Sequence, residues 1–370
     1  MRDLVAAQDE MQSLPTSPLA RTVIETPTDI WNDSCTVDEL GYAVAFGAVG
    51  ATANPTIVVD NWRKDPARWS ERTRALATEH VAWNERDLAW AIVAEMSVLA
   101  APLLRPAFEA SGGRAGRLSV QTDPTLFRDP AAMVEQAVGF HALAPNIIVK
   151  FPTTTAGLAA MEEATYRGIS VNATVSFSVA QALAAAEAVQ RGIERREADG
   201  LSTGAMGPVI TIMMGRVEDW LRLLVEREGI IIDPAALPWS GVAVFKRAYA
   251  AWQGRGFRAR LLGAAIRHQL HWTELIGGDV VITMPSSWQK RFNASSVEVR
   301  PRIDEPVPYV DELRARFPDF VRAYEPDGLP PAMFDQWAPT VRTLRAFIAS
   351  YHDVLHVVSD GLLPDPDKGC

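Results

Sequence analysis

Between residues 28 and 285 short apolar runs alternate with longer stretches of helical periodicity. The apolar runs are "TDIWNDS" (28–34), "GAVGATANP" (47–55), "GRLSVQTDP" (116–124), "NIIVKFP" (146–152), "ISVNATVS" (169–176), "PVITIMMGR" (208–216), "RARLLGAAI" (258–266) and "DVVITMP" (279–285). Helices are expected at roughly 64–110, 129–143, 154–167 and 177–197. Strands that alternate with helical crossovers imply a parallel sheet. Eight such units are the count of a closed (β/α)8 barrel, a TIM barrel of the α/β class with extra helices. A doubly wound open sheet is the alternative, but no Gly-rich phosphate fingerprint follows the first strand, which counts against it. The segment 308–360 reads as a helical C-terminal cap broken by prolines at 329–331. The expected organisation is an N-terminal extension over 1–20 and one barrel unit over 21–365, with loosely packed ends at 1–20 and 361–370.

Composition narrows the partners. A net charge of −9 with no basic block argues against nucleic acid. Cys35 and Cys370 cannot build a disulfide framework and suit a reducing compartment. The start, "MRDLVAAQDEMQSLP", carries acids where a signal peptide needs an apolar core, so no secretion signal is read. The longest apolar run, 89–104, is interrupted by Glu95 and reads as a buried helix too short to span a bilayer. A cytoplasmic protein with no membrane partner is the expectation.

The fourth run ends on a cation. Only five of the 36 basic residues are lysines, so Lys150 at the end of "NIIVK" is not casual surface filler. In a barrel, function gathers where strands end. The polar or basic residues there include Asp33, Asn54, Gln121, Lys150, Asn172, Thr174, Thr211, Arg216 and Arg267. A lysine walled by apolar neighbours loses hydration of its ammonium form, and its pKa falls. The neutral amine can then attack a carbonyl and form a Schiff base, whose iminium draws electrons from a neighbouring C–C bond. Such chemistry needs a proton acceptor, and Asp33 could serve. The bland alternative is a strand-end lysine that snorkels to solvent. Lys246, at the end of "GVAVFK", continues into a charged helical pattern and reads as solvated. His352 and His356 lie four apart without a further ligand and read as surface or packing residues; His268 and His271 closely follow Arg267 and could line the mouth near a phosphate, which a plain loop position explains equally well.

These segments resemble the transaldolase family, which includes fructose-6-phosphate aldolase. "GATANPTIV" resembles its T-T-N-P-S segment, "IWNDS" its first strand, and "MMGR" and "GAAIR" the segments that supply phosphate-binding arginines. "NIIVKFPTTTAGLAAMEEATYRGISVNATVSFSVAQA" resembles the region of the Schiff-base lysine. The resemblance implies a (β/α)8 barrel in which Lys150 forms the Schiff base with a ketose and Asp33 accepts the hydroxyl proton. It implies that Thr174 helps hold a catalytic water, that Asn54 and Asn172 bind donor hydroxyls, and that Arg216 and Arg267 hold the phosphate.

The chain also departs from the family pattern. Transaldolases carry a glutamate where this chain has Gln121, whereas the aldolase branch carries glutamine. Met213 stands where that branch has tyrosine and transaldolases have phenylalanine. Thr211 and Ala265 each replace a serine, the second one a phosphate ligand. The expected function is transfer of a dihydroxyacetone unit between sugar phosphates. The alternatives are an aldolase using free dihydroxyacetone and a non-catalytic sugar-phosphate-binding barrel. No cofactor or metal is implied, and a homo-oligomer is one assembly the sequence allows.

Overall fold

The computed structural model describes residues 16–363. Eight strands run β1 (Asp29–Asn32), β2 (Gly50–Thr52), β3 (Arg117–Gln121), β4 (Ile147–Pro152), β5 (Val171–Thr174), β6 (Val209–Met213), β7 (Arg260–Ala264) and β8 (Val281–Met284). They pair in chain order, all parallel, and β8 closes on β1. The fold is therefore a (β/α)8 barrel, and each expected run holds one strand. Every residue of β3, β4, β5, β6 and β8 is buried. Helices cover the outside and side chains fill the inside, so consecutive positions are apolar rather than alternate ones.

Capping chemistry starts the outer helices where the chain leaves a strand. Asn54 caps Pro55–Lys64, Thr154 caps Thr155–Tyr166 and Ser178 caps Val179–Ala198, each through its side-chain oxygen. The expected single stretch over 64–110 is divided. Pro55–Lys64, Pro66–Glu79, Glu85–Ala100 and Arg105–Ala110 are separate helices, with a 3-10 turn at Ala101–Leu104. Asp65 followed by proline restarts one helix, and a capping box of Asn84 and Asp87 starts the next. The apolar run therefore extends beyond its expected bounds. Residues 85–110 are long and apolar enough to cross a membrane by length and composition, yet half of that run's most apolar stretch is buried inside the protein.

The C-terminal cap is helical, as expected, through Val310–Arg316, Pro318–Tyr324 and Ala338–Leu362. The last of these lies against Pro55–Lys64, Pro66–Glu79 and Glu85–Ala100. Of the ends expected to be loosely packed, residues 1–15 and 364–370, with Cys370, lie outside the described residues. The adjoining chain is packed: Pro18–Glu25 is a capped helix that buries Leu19, Ala20 and Thr22.

Lys246 is not solvated. It sits in mid-helix in Trp239–Trp252, where Nζ donates to Glu274 Oε2 at 2.8 Å and to the carbonyls of Arg302 (2.6 Å) and Glu305 (3.1 Å). Those acceptors, distant in sequence, replace the water an ammonium needs.

Candidate active site

A cavity of about 570 Å³ opens at the C-terminal ends of the strands. Asp33, Asn54, Lys150, Thr174, Thr211, Met213, Arg216 and Arg267 line it. They come from β1, β2, β4, β5, β6 and β7 or the segments just after them, so one mouth gathers residues from six strands.

Lys150 points its chemistry into this cavity from β4 and is 7% exposed. Burial pushes its amine below the ordinary lysine value, and the Asp33 charge opposes that fall only in part. Among the described residues Lys150 forms no salt bridge. Asp33 is fixed at the end of β1: its N–H bonds the Met284 carbonyl at 3.0 Å, and its carboxylate accepts the Thr52 hydroxyl. A partly dehydrated amine thus shares a cavity with an anchored carboxylate.

The ladder sets Gln121 level with Lys150, and Lys150 level with Asn172. Asn172 is fully buried, and both ends of its amide are engaged. Nδ2 donates to Ser119 Oγ at 2.9 Å, and Oδ1 accepts from Thr211 Oγ1 at 2.8 Å. It does not line the cavity in this structure, where it braces β3, β5 and β6 beside the lysine. Gln121 also lies outside the cavity lining, and its Oε1 is buried with no hydrogen-bond partner. Thr174 Oγ1 meets only the Met213 sulfur, at 3.9 Å, so its hydroxyl is nearly uncommitted. Asn54 uses Oδ1 to cap its helix, accepting from Ile57 N–H at 3.1 Å, which leaves the amide nitrogen for the cavity.

The two arginines share one wall. Arg216 stands in the first turn of the helix Met214–Glu228 and Arg267 in the loop after β7. Gly215 permits this approach: a Cβ there would fall 1.9 Å from the Ala265 carbonyl oxygen and 2.8 Å from Arg267 Cγ. Ala265 itself takes a left-handed backbone, φ 63°, a conformation an L side chain adopts at some cost. Asp219 grips the Arg267 guanidinium through Nε (3.1 Å) and Nη2 (2.8 Å). Burial, then the charge of Arg267, lowers the pKa of Arg216. Arg342, from the C-terminal helix, adds a third positive charge to the same region.

Three of the lining residues that were not expected stand out. Thr283 Oγ1 in β8 and Ser286 Oγ at the start of the helix Ser286–Asn293 are buried without partners among the described residues, and Phe347 reaches in from the C-terminal helix. "VITMPSS" carries a signal for the first two, since hydroxyls interrupt an apolar strand end. Nothing local marks Phe347, which is brought over the mouth by tertiary packing.

The protein is thus a parallel eight-stranded barrel whose mouth brings a buried lysine of β4 and an anchored carboxylate at the end of β1 into one cavity. Residues 30–320 match the profile described as Transaldolase/Fructose-6-phosphate aldolase. Transaldolase from Acidothermus cellulolyticus is 31% identical over 310 residues, 74% of this chain and 79% of that one. Transaldolase 1 from Streptomyces coelicolor is 31% identical over 265 residues, 65% of this chain and 68% of that one. Transaldolase from Neisseria gonorrhoeae is 30% identical over 281 residues, 69% and 76% respectively. The chain belongs to the transaldolase/fructose-6-phosphate aldolase family.

Proposed function

We propose that this protein is a transaldolase-type enzyme that moves a dihydroxyacetone unit between sugar phosphates. The observation that carries the reading is Lys150, a buried amine without an ion-pair partner among the described residues, open to the cavity and depressed in pKa. Its neutral nitrogen attacks the ketose carbonyl and water leaves. Asp33 takes the proton from the donor hydroxyl as the C–C bond breaks and an aldehyde departs. The electron pair of the broken bond rests in the enamine, which then attacks an acceptor aldehyde; the aldehyde oxygen takes the proton back from Asp33, and water hydrolyses the new iminium to free the product ketose and the Lys150 amine. Thr174 and Gln121 orient water, Asn54 binds donor hydroxyls, and Arg216 and Arg267 take the phosphate. Asn172 supports the lysine and meets donor hydroxyls only after giving up a bond to Ser119 or Thr211. Cytoplasmic carbohydrate metabolism, in the pentose phosphate pathway, is the proposed setting.

Borohydride reduction in the presence of fructose 6-phosphate tests this. The expected product is a reduced adduct at Lys150 on mass mapping; a folded protein with no adduct there would end the proposal. A second reading, cleavage that releases free dihydroxyacetone, is favoured by Gln121, whose amide cannot take a proton at neutral pH. Supplying donor with and without an aldehyde acceptor separates the two. Transfer predicts turnover only with the acceptor, and cleavage predicts release without it.

A further inference from the structure

Behind the arginine wall lies a group outside the mechanism: buried Glu218 and His271 with half-buried His268, whose ligand atoms all fall within 4.8 Å of one another. That spacing resembles a metal site, but the bonding does not. Glu218 Oε1 accepts Nε (2.9 Å) and Nη2 (2.6 Å) of Arg222, while Oε2 meets His268 Nε2 at 2.8 Å. His271 is wholly buried, and its Nδ1 accepts the backbone N–H of Arg267 at 3.2 Å. A neutral imidazole has one donor and one acceptor nitrogen. With Nδ1 accepting, the proton resides on Nε2, which faces Glu218 Oε2 at 3.8 Å and has no other partner. A metal would need that nitrogen's lone pair, which is bound to hydrogen.

The geometry points instead to His271 as a positioning residue for sugar-phosphate binding: it holds the Arg267 backbone so that this arginine faces the cavity beside Arg216. The inference rests on the reading of Arg216 and Arg267 as phosphate ligands. Asp219, from the helix Met214–Glu228, holds the Arg267 guanidinium directly, while His271 holds its backbone N–H, with the Glu218 carboxylate 3.8 Å from the far nitrogen of the ring. The charge states agree. Burial alone would raise the Glu218 carboxyl, but hydrogen bonds from His268 and Arg222 hold it at about 2. Burial pushes His271 down to about 3, so the ring stays neutral at physiological pH and keeps its acceptor. The loop it braces includes the left-handed Ala265, a conformation that persists only where neighbours enforce it.

The test uses the full chain with His271→Asn, His271→Gln and His271→Leu, and Arg267→Ala as reference. The readouts are KM and kcat for fructose 6-phosphate, inhibition by inorganic phosphate, KM for free dihydroxyacetone, and melting temperature. Asparagine Oδ1 can occupy the place of Nδ1, whereas glutamine puts its amide near Nε2 and leaves the Arg267 N–H bare. His271→Gln and His271→Leu are expected to raise KM and the phosphate inhibition constant about tenfold, one lost hydrogen bond of about 1.4 kcal/mol. Their kcat is expected to stay within about twofold, with dihydroxyacetone unaffected. His271→Asn is expected to restore phosphate binding, and this contrast stands even if the leucine variant fails to fold. Folded glutamine and asparagine variants that are equally weak, or equally unaffected, while Arg267→Ala loses phosphate, would overturn the inference alone. Stoichiometric zinc binding abolished by His271→Gln would also overturn it. An Arg267→Ala variant that binds phosphate normally would instead remove the phosphate-site reading beneath it.

Discussion

Lys150 and Lys246 are buried to the same degree, 7% exposed each, and their neighbours give them opposite chemistry. Lys246 donates to three acceptors, one of them the Glu274 carboxylate. Lys150 opens onto a cavity that it shares with the Asp33 carboxylate, whose charge offsets the effect of burial only in part. Its pKa lies below the 10.5 of an exposed lysine because burial disfavours the charge. Between the folded and unfolded values the unfolded chain binds more protons, so this residue makes stability rise with pH across that window. Below the folded value the penalty is complete. Lys150→Met is therefore expected to abolish the borohydride adduct and lower turnover at least about 10³-fold. It is also expected to raise the melting temperature at low pH, an advantage that shrinks toward pH 10.5. Scanning calorimetry across pH checks this, and a variant less stable than wild type at every pH contradicts the depressed pKa. Lys246→Met should do the reverse. Stranding the buried Glu274 costs about 3–5 kcal/mol, while trapping at Lys150 survives.

The strand ends carry the next level of organisation, because a turn that starts a helix also faces the cavity. Asn54 shows the coupling: one atom caps Pro55–Lys64, and the residue lines the mouth. Asn54→Ala is expected to cost about 1 kcal/mol of stability and to raise KM for the donor. Asn54→Asp keeps an equally good cap at a helix N-terminus but loses the amide donor, so stability should hold while KM still rises. Melting curves beside steady-state kinetics separate the two roles, and an aspartate variant with unchanged KM would show that Asn54 only caps. Elements of this kind are legible in sequence where the governing contacts are local. Asn-Pro at 54–55 and Asp-Pro at 65–66 announce helix starts, and the apolar run around Lys150 announces a buried strand. Contacts across the barrel leave no such mark. The partners of Asn172 lie 53 and 39 residues away, and the carboxylate of Lys246 lies 28 away. Lys246 therefore reads as solvated, and Asn172 as a ligand, until the barrel closes and brings those partners in. Phe347 belongs to a helix whose course over the mouth follows from packing against Pro55–Lys64 and its neighbours, not from its own pattern.

At the scale of the whole molecule, charge poses a problem that the site must solve. The chain carries a net charge of −9, which repels a phosphorylated sugar at a distance. The mouth concentrates the opposite sign on one wall, through Arg216 and Arg267, with Arg342 close enough to act on Arg216. Asp219 offsets one of those charges, so the attraction is short in range and depends on contact. Salt screens the two effects at different concentrations. The Debye length is about 30 Å at 0.01 M and about 10 Å at 0.1 M. The first addition of salt therefore removes the long-range repulsion while leaving the contact attraction largely intact. Further salt, with a Debye length of about 3 Å at 1 M, weakens the arginine contacts as well. The expected dependence of kcat/KM for fructose 6-phosphate is a modest rise, about two- to threefold, up to roughly 0.1 M salt, then a fall at higher concentration. Free dihydroxyacetone, which carries no charge, should show neither limb. A monotonic fall from the lowest salt would mean that the arginine wall dominates the field at range. A flat profile with the phosphorylated substrate would mean that its phosphate does not reach the arginines at all, and that the barrel recognises its substrate through the hydroxyl-lined side of the mouth.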